Sequence, residues 1–328
     1  MHISVVIPSN HPHADLLIVV QAVCAQSLKP LEIVVVDSSP ERGVCPAAVV
    51  AACAERGIEC IYESPDLVYP GRARNIGLSL ARAPIIAFAD VRTLPRSSWL
   101  EQSHHIIESR GAEGVWGATY FSAESSTEKL VRDGIFGVAP RRTLPGTVFR
   151  RSIVEHVGSF VDWVRAGEDS DWMLRAELMR LRFELYPGVS MDYLGLQDVG
   201  MIGLFSKWLR NYVSSKSLPH LFPQKLFVWL LVYPVIVLIA FHWNDLVANW
   251  RMDSPRYVPN VTKIAAILPL LLYIIGRGLV VPLRRGVPLL RLLPLRFIAV
   301  ATMCAVLDLA KAAVYLWPIN DDRHGLRD

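Results

Sequence analysis

The chain is 328 residues long, 52% hydrophobic and 20% charged, with a formal net charge of +4. So small and scattered a charge gives no argument for a nucleic-acid partner, and this length suits one large domain or two smaller parts. The apolar excess lies towards the carboxy-terminal end, beside basic stretches, which points instead to a membrane surface. Five cysteines (Cys24, Cys45, Cys53, Cys60 and Cys304) are odd in number and lack CxxC spacing. That argues against a disulfide framework or a zinc site and for a reducing compartment. The start, Met1-His2-Ile3-Ser4-Val5-Val6-Ile7-Pro8, runs straight into a strand pattern. It has no basic n-region and no long apolar h-region, so no signal peptide is expected and this part is expected in the cytosol.

Ile3–Pro8 is a β-branched run stopped by a proline, then Ser9 and Asn10, which reads as a strand and a turn. Ala14 to Gln26 has helical apolar spacing and is closed by Lys29-Pro30. Leu31–Asp37 is a buried strand ending on an acid, Ala47–Arg56 a helix, and Ile58–Tyr62 a short strand. Gly71–Ala81 is a helix with glycine and arginine in its first turn. The apolar run Ala83–Ala89 then delivers Asp90 to a sheet rim, followed by a turn with Thr93 and Pro95 and a helix from about Ser97 to Ser109. Four strand–helix alternations predict a parallel sheet covered on both faces, with ligands at the carboxyl ends of its strands. Beyond it the spacing predicts strands at Glu113–Tyr120 and Gly146–Arg150, a polar loop at Ser122–Lys129 and a basic turn at Arg141-Arg142. Glu168-Asp169-Ser170-Asp171-Trp172 opens a helix to about Leu181, its acids suiting the positive end of the helix dipole, and Phe183–Tyr186 is one more strand.

Leu226–Trp243 is uncharged and Ile264–Leu283 carries only Arg277, so each can cross a hydrocarbon core of about 30 Å, with Arg277 snorkelling. Phe297–Trp317 is interrupted by Asp308 and Lys311, which can pair on one face, so it spans or lies in the interface. Lys207, Arg210, Lys216 and Lys225 precede the first span, and Arg284, Arg285, Arg291 and Arg296 follow the second. That bias predicts both stretches and the domain on the cytosolic side of an inner or plasma membrane, multi-pass. The expected organisation is a cytosolic domain at 1–200, a basic and aromatic juxtamembrane segment at 201–225, a membrane region at 226–317 and a tail at 318–328.

The motifs, in order, are Val5-Val6-Ile7-Pro8, Glu32–Ser39, Pro70-Gly71-Arg72-Ala73-Arg74-Asn75-Ile76-Gly77, Phe88-Ala89-Asp90 and Gly167-Glu168-Asp169-Ser170-Asp171. Over roughly residues 1–190 they resemble the family-2 glycosyltransferases, and the apolar end resembles their membrane-anchored bacterial members. The resemblance implies an α/β GT-A fold, a Rossmann-like mixed sheet of the nucleotide-diphospho-sugar transferases, followed by membrane helices. It implies an inverting transfer of sugar from a nucleotide-diphosphate donor to a hydroxyl of a lipid-linked or polysaccharide acceptor. Partners would be the nucleotide-sugar donor, that acceptor and membrane lipids, and no nucleic acid.

By the same resemblance, Pro8, Asp37, Arg72, Arg74, Asp90 and Arg92 bind donor. A carboxylate such as Asp37 is a sound acceptor for an imide N–H of the base, or it is an ordinary strand-end turn acid. Arg72 and Arg74 suit ribose or phosphate, though at least one is expected to be solvated, and Asn75 ties a loop. Asp169 would be the general base and Glu168 its positioning neighbour; acids at that place also serve simply as dipole caps. Trp172 stacks on an acceptor sugar or, the blander reading, lies in the core. The departure is Asp90-Val91-Arg92, where the family usually has Asp-x-Asp, its second acid holding Mg²⁺ or Mn²⁺. Asp90 alone can still hold a divalent cation, or the Arg92 guanidinium neutralises the diphosphate instead, or Arg92 is merely solvated. The basic-aromatic run Lys207–Tyr212 binds an acceptor phosphate or is an ordinary interfacial belt. A processive synthase is disfavoured by the lack of a Gln-x-x-Arg-Trp element. A catalytically silent sugar-nucleotide-binding homologue or scaffold is the alternative from another class.

Overall fold

The computed structural model describes residues 2–194, 196, 200–218 and 228–316. Its first half alternates as the sequence predicts: β1 (Ile3–Ser9), α1 (His13–Cys24), β2 (Glu32–Asp37), α2 (Ala47–Glu55), β3 (Glu59–Glu63), α3 (Pro70–Leu80) and β4 (Ile85–Phe88). β5 (Thr93–Pro95), α4 (Trp99–Arg110), β6 (Gly114–Phe121), α5 (Ser126–Val131), β7 (Arg141–Arg150), α6 (Ile153–Val157), α7 (Glu168–Leu178), β8 (Phe183–Leu185) and β9 (Met191–Tyr193) complete the domain. The sheet runs β3-β2-β1-β4-β7-β6-β9-β5, with β8 also on β6. The pairs β1/β2, β2/β3 and β1/β4 are parallel, whereas β7 joins β4 and β6 antiparallel. Between β1 and β4 the order of the chain reverses, and that crevice is where an open α/β sheet accepts a ligand.

Strand periodicity divides the core. Val5 and Ile7 of β1 face a cluster with Leu16, Trp99 and Leu100, while Val6 between them faces Val34, Phe88 and Trp172. Trp172 is fully buried, stacked 5.2 Å from Phe160, and its indole N–H donates to the Gly158 carbonyl at 3.0 Å. The core reading of Trp172 is therefore the right one.

Several expectations change. The expected basic turn Arg141-Arg142 is the start of β7, paired with Thr119 and Ala118. The strand expected at Gly146–Arg150 begins five residues earlier, and Pro145-Gly146 makes a bulge within it, where a Cβ on Gly117 would lie 2.1 Å from the Pro145 carbonyl oxygen. Half of the expected polar loop is α5: Ser125 Oγ accepts from the Glu128 amide at 3.1 Å and the Glu128 carboxylate accepts from Ser125 N at 3.2 Å. The turn at Thr93 and Pro95 carries β5, which pairs antiparallel with β9; three-residue strands have no legible periodicity.

α8 (Gly200–Ser215) occupies the expected juxtamembrane segment, and α9 (Val228–Ala248) follows. α10 (Val261–Ile275) continues through a π-helical stretch, Gly276–Val280, into α11 (Val281–Arg284), and α12 (Leu289–Leu292) precedes α13 (Arg296–Leu316). Among the described residues two helices, Val261–Arg284 and Arg296–Val314, are long and apolar enough to cross a membrane. Lys225, the first residues of the expected span 226–243, the last of 297–317 and the tail 318–328 lie outside the described residues. Asp308 accepts from Arg277 Nε at 2.7 Å and Tyr273 Oη at 2.9 Å on the neighbouring helix. Arg277 therefore reaches a buried acid rather than headgroups, and Lys311 sits 5.0 Å over the Tyr212 ring.

These helices are clasped to the domain. Asp133, with no exposed surface, accepts from Arg132 at 3.0 Å and from Arg296 at 3.0 Å, and Arg285 donates to the Gly134 carbonyl at 2.7 Å. Asp133→Ala leaves buried guanidinium charge uncompensated, so we expect a loss of about 3–5 kcal/mol. Limited proteolysis should then cut faster between the domain and α13; unchanged cutting and unchanged Tm would show the clasp to be dispensable.

Candidate active site

α3 begins with Pro70, whose missing N–H costs nothing in a first turn. Gly71 follows because a Cβ there would lie 1.9 Å from the Val161 carbonyl oxygen, so only glycine lets the helix meet the segment leading to α7. One turn on, Arg74 is buried and bridges two elements. It donates to Glu168 Oε1 at 2.6 Å and to Asp90 Oδ1 at 3.2 Å, and its guanidinium lies 5.7 Å from the Phe160 ring centre. Asn75 fixes the same approach, exchanging two 2.9 Å hydrogen bonds with the Phe160 backbone; it ties the loop, as expected.

Asp90 leaves β4 half-buried, and Thr93 Oγ1 closes the turn by donating to the Asp90 carbonyl at 2.8 Å. Arg92 then donates to the Leu194 carbonyl at 3.2 Å and lies 5.6 Å over Tyr193. Pro8, Ser38, Arg74, Asp90, Arg92 and Tyr193 line one cavity of about 200 Å³ at the carboxyl ends of β1, β2 and β4. His11 also lines it; burial, with help from Arg92, holds its imidazole below the usual value.

The other expected residues sit around this cavity. Asp37 lies fully buried behind Ser38, accepting from the Ser39 amide at 2.9 Å, Tyr62 Oη at 2.8 Å and, across 2.9 Å, meeting His13 Nε2. Burial alone would raise its pKa, but these partners hold the carboxyl below its ordinary value. Arg72 is exposed and outside the cavity lining. Glu168 stands behind Arg74, nine-tenths or more buried, and its Oε2 makes no hydrogen bond among the described residues. Asp169 is half-buried with Oδ1 accepting from the Ser170 amide at 2.7 Å, while Asp171 serves the helix by accepting from Arg175 at 2.8 Å. Tyr193 and His11 were not singled out from the sequence: β9 is too short to read, and His11 lies in a turn without ligand spacing.

The metal question can be put to the donor set. Asp90 is the acid on this cavity wall, one-third exposed although paired with Arg74, and among the described residues no three His, Cys, Asp or Glu side chains form a cage. One open carboxylate fits a cation that takes its other ligands from diphosphate and water.

Residues 4–163 match the family model described as glycosyl transferase family 2. They form a family-2 glycosyltransferase domain. Over 217 aligned residues the chain is 29% identical to a pre-mycofactocin glycosyltransferase of Mycobacterium tuberculosis, covering 57% of this chain and 44% of that protein. It is 26% identical over 189 residues to glycosyltransferase AglE of Haloferax volcanii, covering 53% and 60%. The chain thus spans about half the length of the curated relatives it matches. The mannosyltransferase PcManGT of Pyrobaculum calidifontis, solved with GDP-Man and Mn²⁺, superposes with a TM-score of 0.54 at 18% identity over 96% of this chain and 87% of that one. Its likeness fixes the fold of the glycosyltransferase domain as a curled GT-A sheet.

Burial, then the charge of Asp169, pushes the Glu168 carboxyl up from 4.5 to about 7, against the pull of Arg74. Across that window the folded protein keeps a proton that the unfolded chain has lost. Stability from this group is therefore greatest at the acid end and falls as pH climbs through about 7. Glu168→Gln cannot ionise and should flatten that part of a Tm-against-pH curve; an unchanged slope would refute the assignment.

Proposed function

We propose that the chain is an inverting glycosyltransferase. It moves a sugar from a nucleotide-diphosphate donor to a hydroxyl of a lipid-linked or glycan acceptor at the cytosolic face of a membrane. The observation that carries this reading is the convergence of Pro8, Arg74, Asp90 and Arg92 on one cavity at the reversal point of a family-2 domain, with Glu168-Asp169 behind Arg74. Two apolar helices flanked by Arg284, Arg285, Arg291 and Arg296 support the membrane side.

In this reading the nucleobase enters beside Ser38. Asp37 has three partners for about four lone-pair sites, so one remains for a base N–H once His13, its partly exposed cover, swings aside. Asp90 would hold Mg²⁺ or Mn²⁺, which supplies neutralising charge to the leaving diphosphate. Arg92 supplies part of that charge from the protein itself. Glu168 holds Arg74, and through it Asp90, in place; it is a positioning residue. Asp169 takes the proton of the acceptor hydroxyl. The freed oxygen lone pair forms the new bond to the anomeric carbon, and the bond to the diphosphate breaks with its electron pair leaving on oxygen. Attack opposite the leaving group inverts the centre.

The first test is a screen of nucleotide sugars, UDP-GlcNAc and GDP-mannose included, for release of nucleoside diphosphate by the full chain. Asp169→Asn should lower turnover by about 10²–10⁴; full activity in that variant would remove Asp169 as base. In excess EDTA some turnover should survive on Arg92, and Arg92→Ala should abolish it. Complete loss with EDTA in the unaltered protein would sink the part given to Arg92. One observation favours a silent sugar-nucleotide-binding homologue, the pairing of Asp90 with Arg74 beside an arginine in place of the second acid. Failure of every donor to be cleaved would favour that reading.

A further inference from the structure

A second cavity of about 200 Å³ adjoins the first and shares Tyr193 with it. Its walls come from α5, the π-helical stretch Arg132–Phe136 that continues it, Tyr193 of β9 and α8, so it joins the glycosyltransferase domain to α8. Val131, Phe136, Leu204 and Trp208 make it apolar, and Leu204 and Val131 pack in turn on Met303 and Leu307 of α13, a helix apolar enough to cross a membrane. The polar side chains on the wall include Thr127, Asn211 and Lys207, while the Glu128 carboxylate is taken by the capping box of α5. The Lys207 ammonium is half-buried. Burial, then Arg92 and Arg165, hold it below its usual value, and its charge also reaches His11, so it stands at the junction with the donor cavity.

We propose that this second cavity is the acceptor subsite and that the acceptor is an amphiphile with a phosphate next to an aliphatic chain. The proposal rests on the glycosyltransferase reading above. The chain would lie against Leu204, Phe136 and Trp208, the phosphate would meet Lys207, and the nucleophilic oxygen would point past Tyr193 to the donor. An apolar cavity with Lys207 at its donor end matches that chemistry. A free sugar would ask for several polar groups, and among the described residues of this wall they are few. The backing by α13 brings the cavity to where a lipid anchor would emerge. A phosphate deep in the donor cavity is a separate matter, because Arg92 and Asp90 address the donor.

The test needs no transfer. Full-length protein in phosphatidylcholine nanodiscs is photolysed with a diazirine-bearing dodecyl phosphate, and labelled peptides are mapped. Saturable labelling is expected on residues 127–136 and 204–211. Lys207→Gln should raise the half-saturating concentration about tenfold, the loss of one charge-assisted hydrogen bond. The corresponding neutral alcohol probe should be indifferent to that change. Thr127→Trp, a half-exposed position at the cavity, should block both probes while the variant still binds UDP or GDP as the unaltered protein does. Labelling confined to α9, α10 and α13, labelling equal in all variants, or competition by phosphatidylglycerol as effective as by dodecyl phosphate would each overturn the proposal. The donor screen fails or succeeds independently of this result.

Discussion

The site depends on one buried cation. Arg74 sits where α3, the end of β4 and the start of α7 meet, and it reaches an acid on each of the other two elements. Neither interaction is a net source of stability, since taking charges out of water costs about what their attraction returns. What the guanidinium supplies is geometry. Its planar fork fixes Asp90 and Glu168 relative to each other, and removing either acid would leave charge stranded. Three acids, Asp90, Glu168 and Asp169, act on this single arginine, so negative charge is in excess. That excess, on top of burial, is why Glu168 retains a proton into the neutral range.

The surroundings serve the same geometry. Gly71 allows the close approach of α3 to the segment before α7, Asn75 ties that segment by two backbone hydrogen bonds, and Trp172 buries α7 against β6 and β7. A first turn crowded with acids would be merely a well-capped helix on a surface. Here Glu168 faces inward onto Arg74 and Asp169 stays half-open, so the same turn offers one anchored and one reachable carboxylate. Division of labour between neighbours follows from burial.

The apolar helices are not an independent appendage. Asp133 gathers Arg132, Arg291 and Arg296, and α8 lies along α13, so the cavity beside Tyr193 has one wall from the glycosyltransferase domain and another from α8. Arginines that a charge count assigns to headgroups are in part committed to the protein. Likewise Arg277 is neutralised by Asp308 rather than by snorkelling. Intrahelical spacing pointed to Lys311 near Asp308, and it could not show that Arg277 and Tyr273 of a neighbouring helix reach the same buried acid.

Strand and helix order, the strand-end acids and the order of the motifs were legible in the sequence because each rests on local pattern. A buried parallel strand is a continuous β-branched run, and an acid after it is visible by position alone. The capping box at Ser125 and Glu128 was equally visible in spacing, yet its polar residues also spell a loop. By itself, then, the sequence determined the alternating α/β order, the glycosyltransferase motifs and the apolar end. Only the tertiary structure decided which charges meet: Arg74 with Asp90 across 16 positions and with Glu168 across 94, Asp133 with Arg296 across 163. Periodicity reports which face a side chain takes, not what stands opposite it. Partners so far apart in the chain are chosen by packing of whole elements, and in a buried site that choice sets charge, protonation and reach.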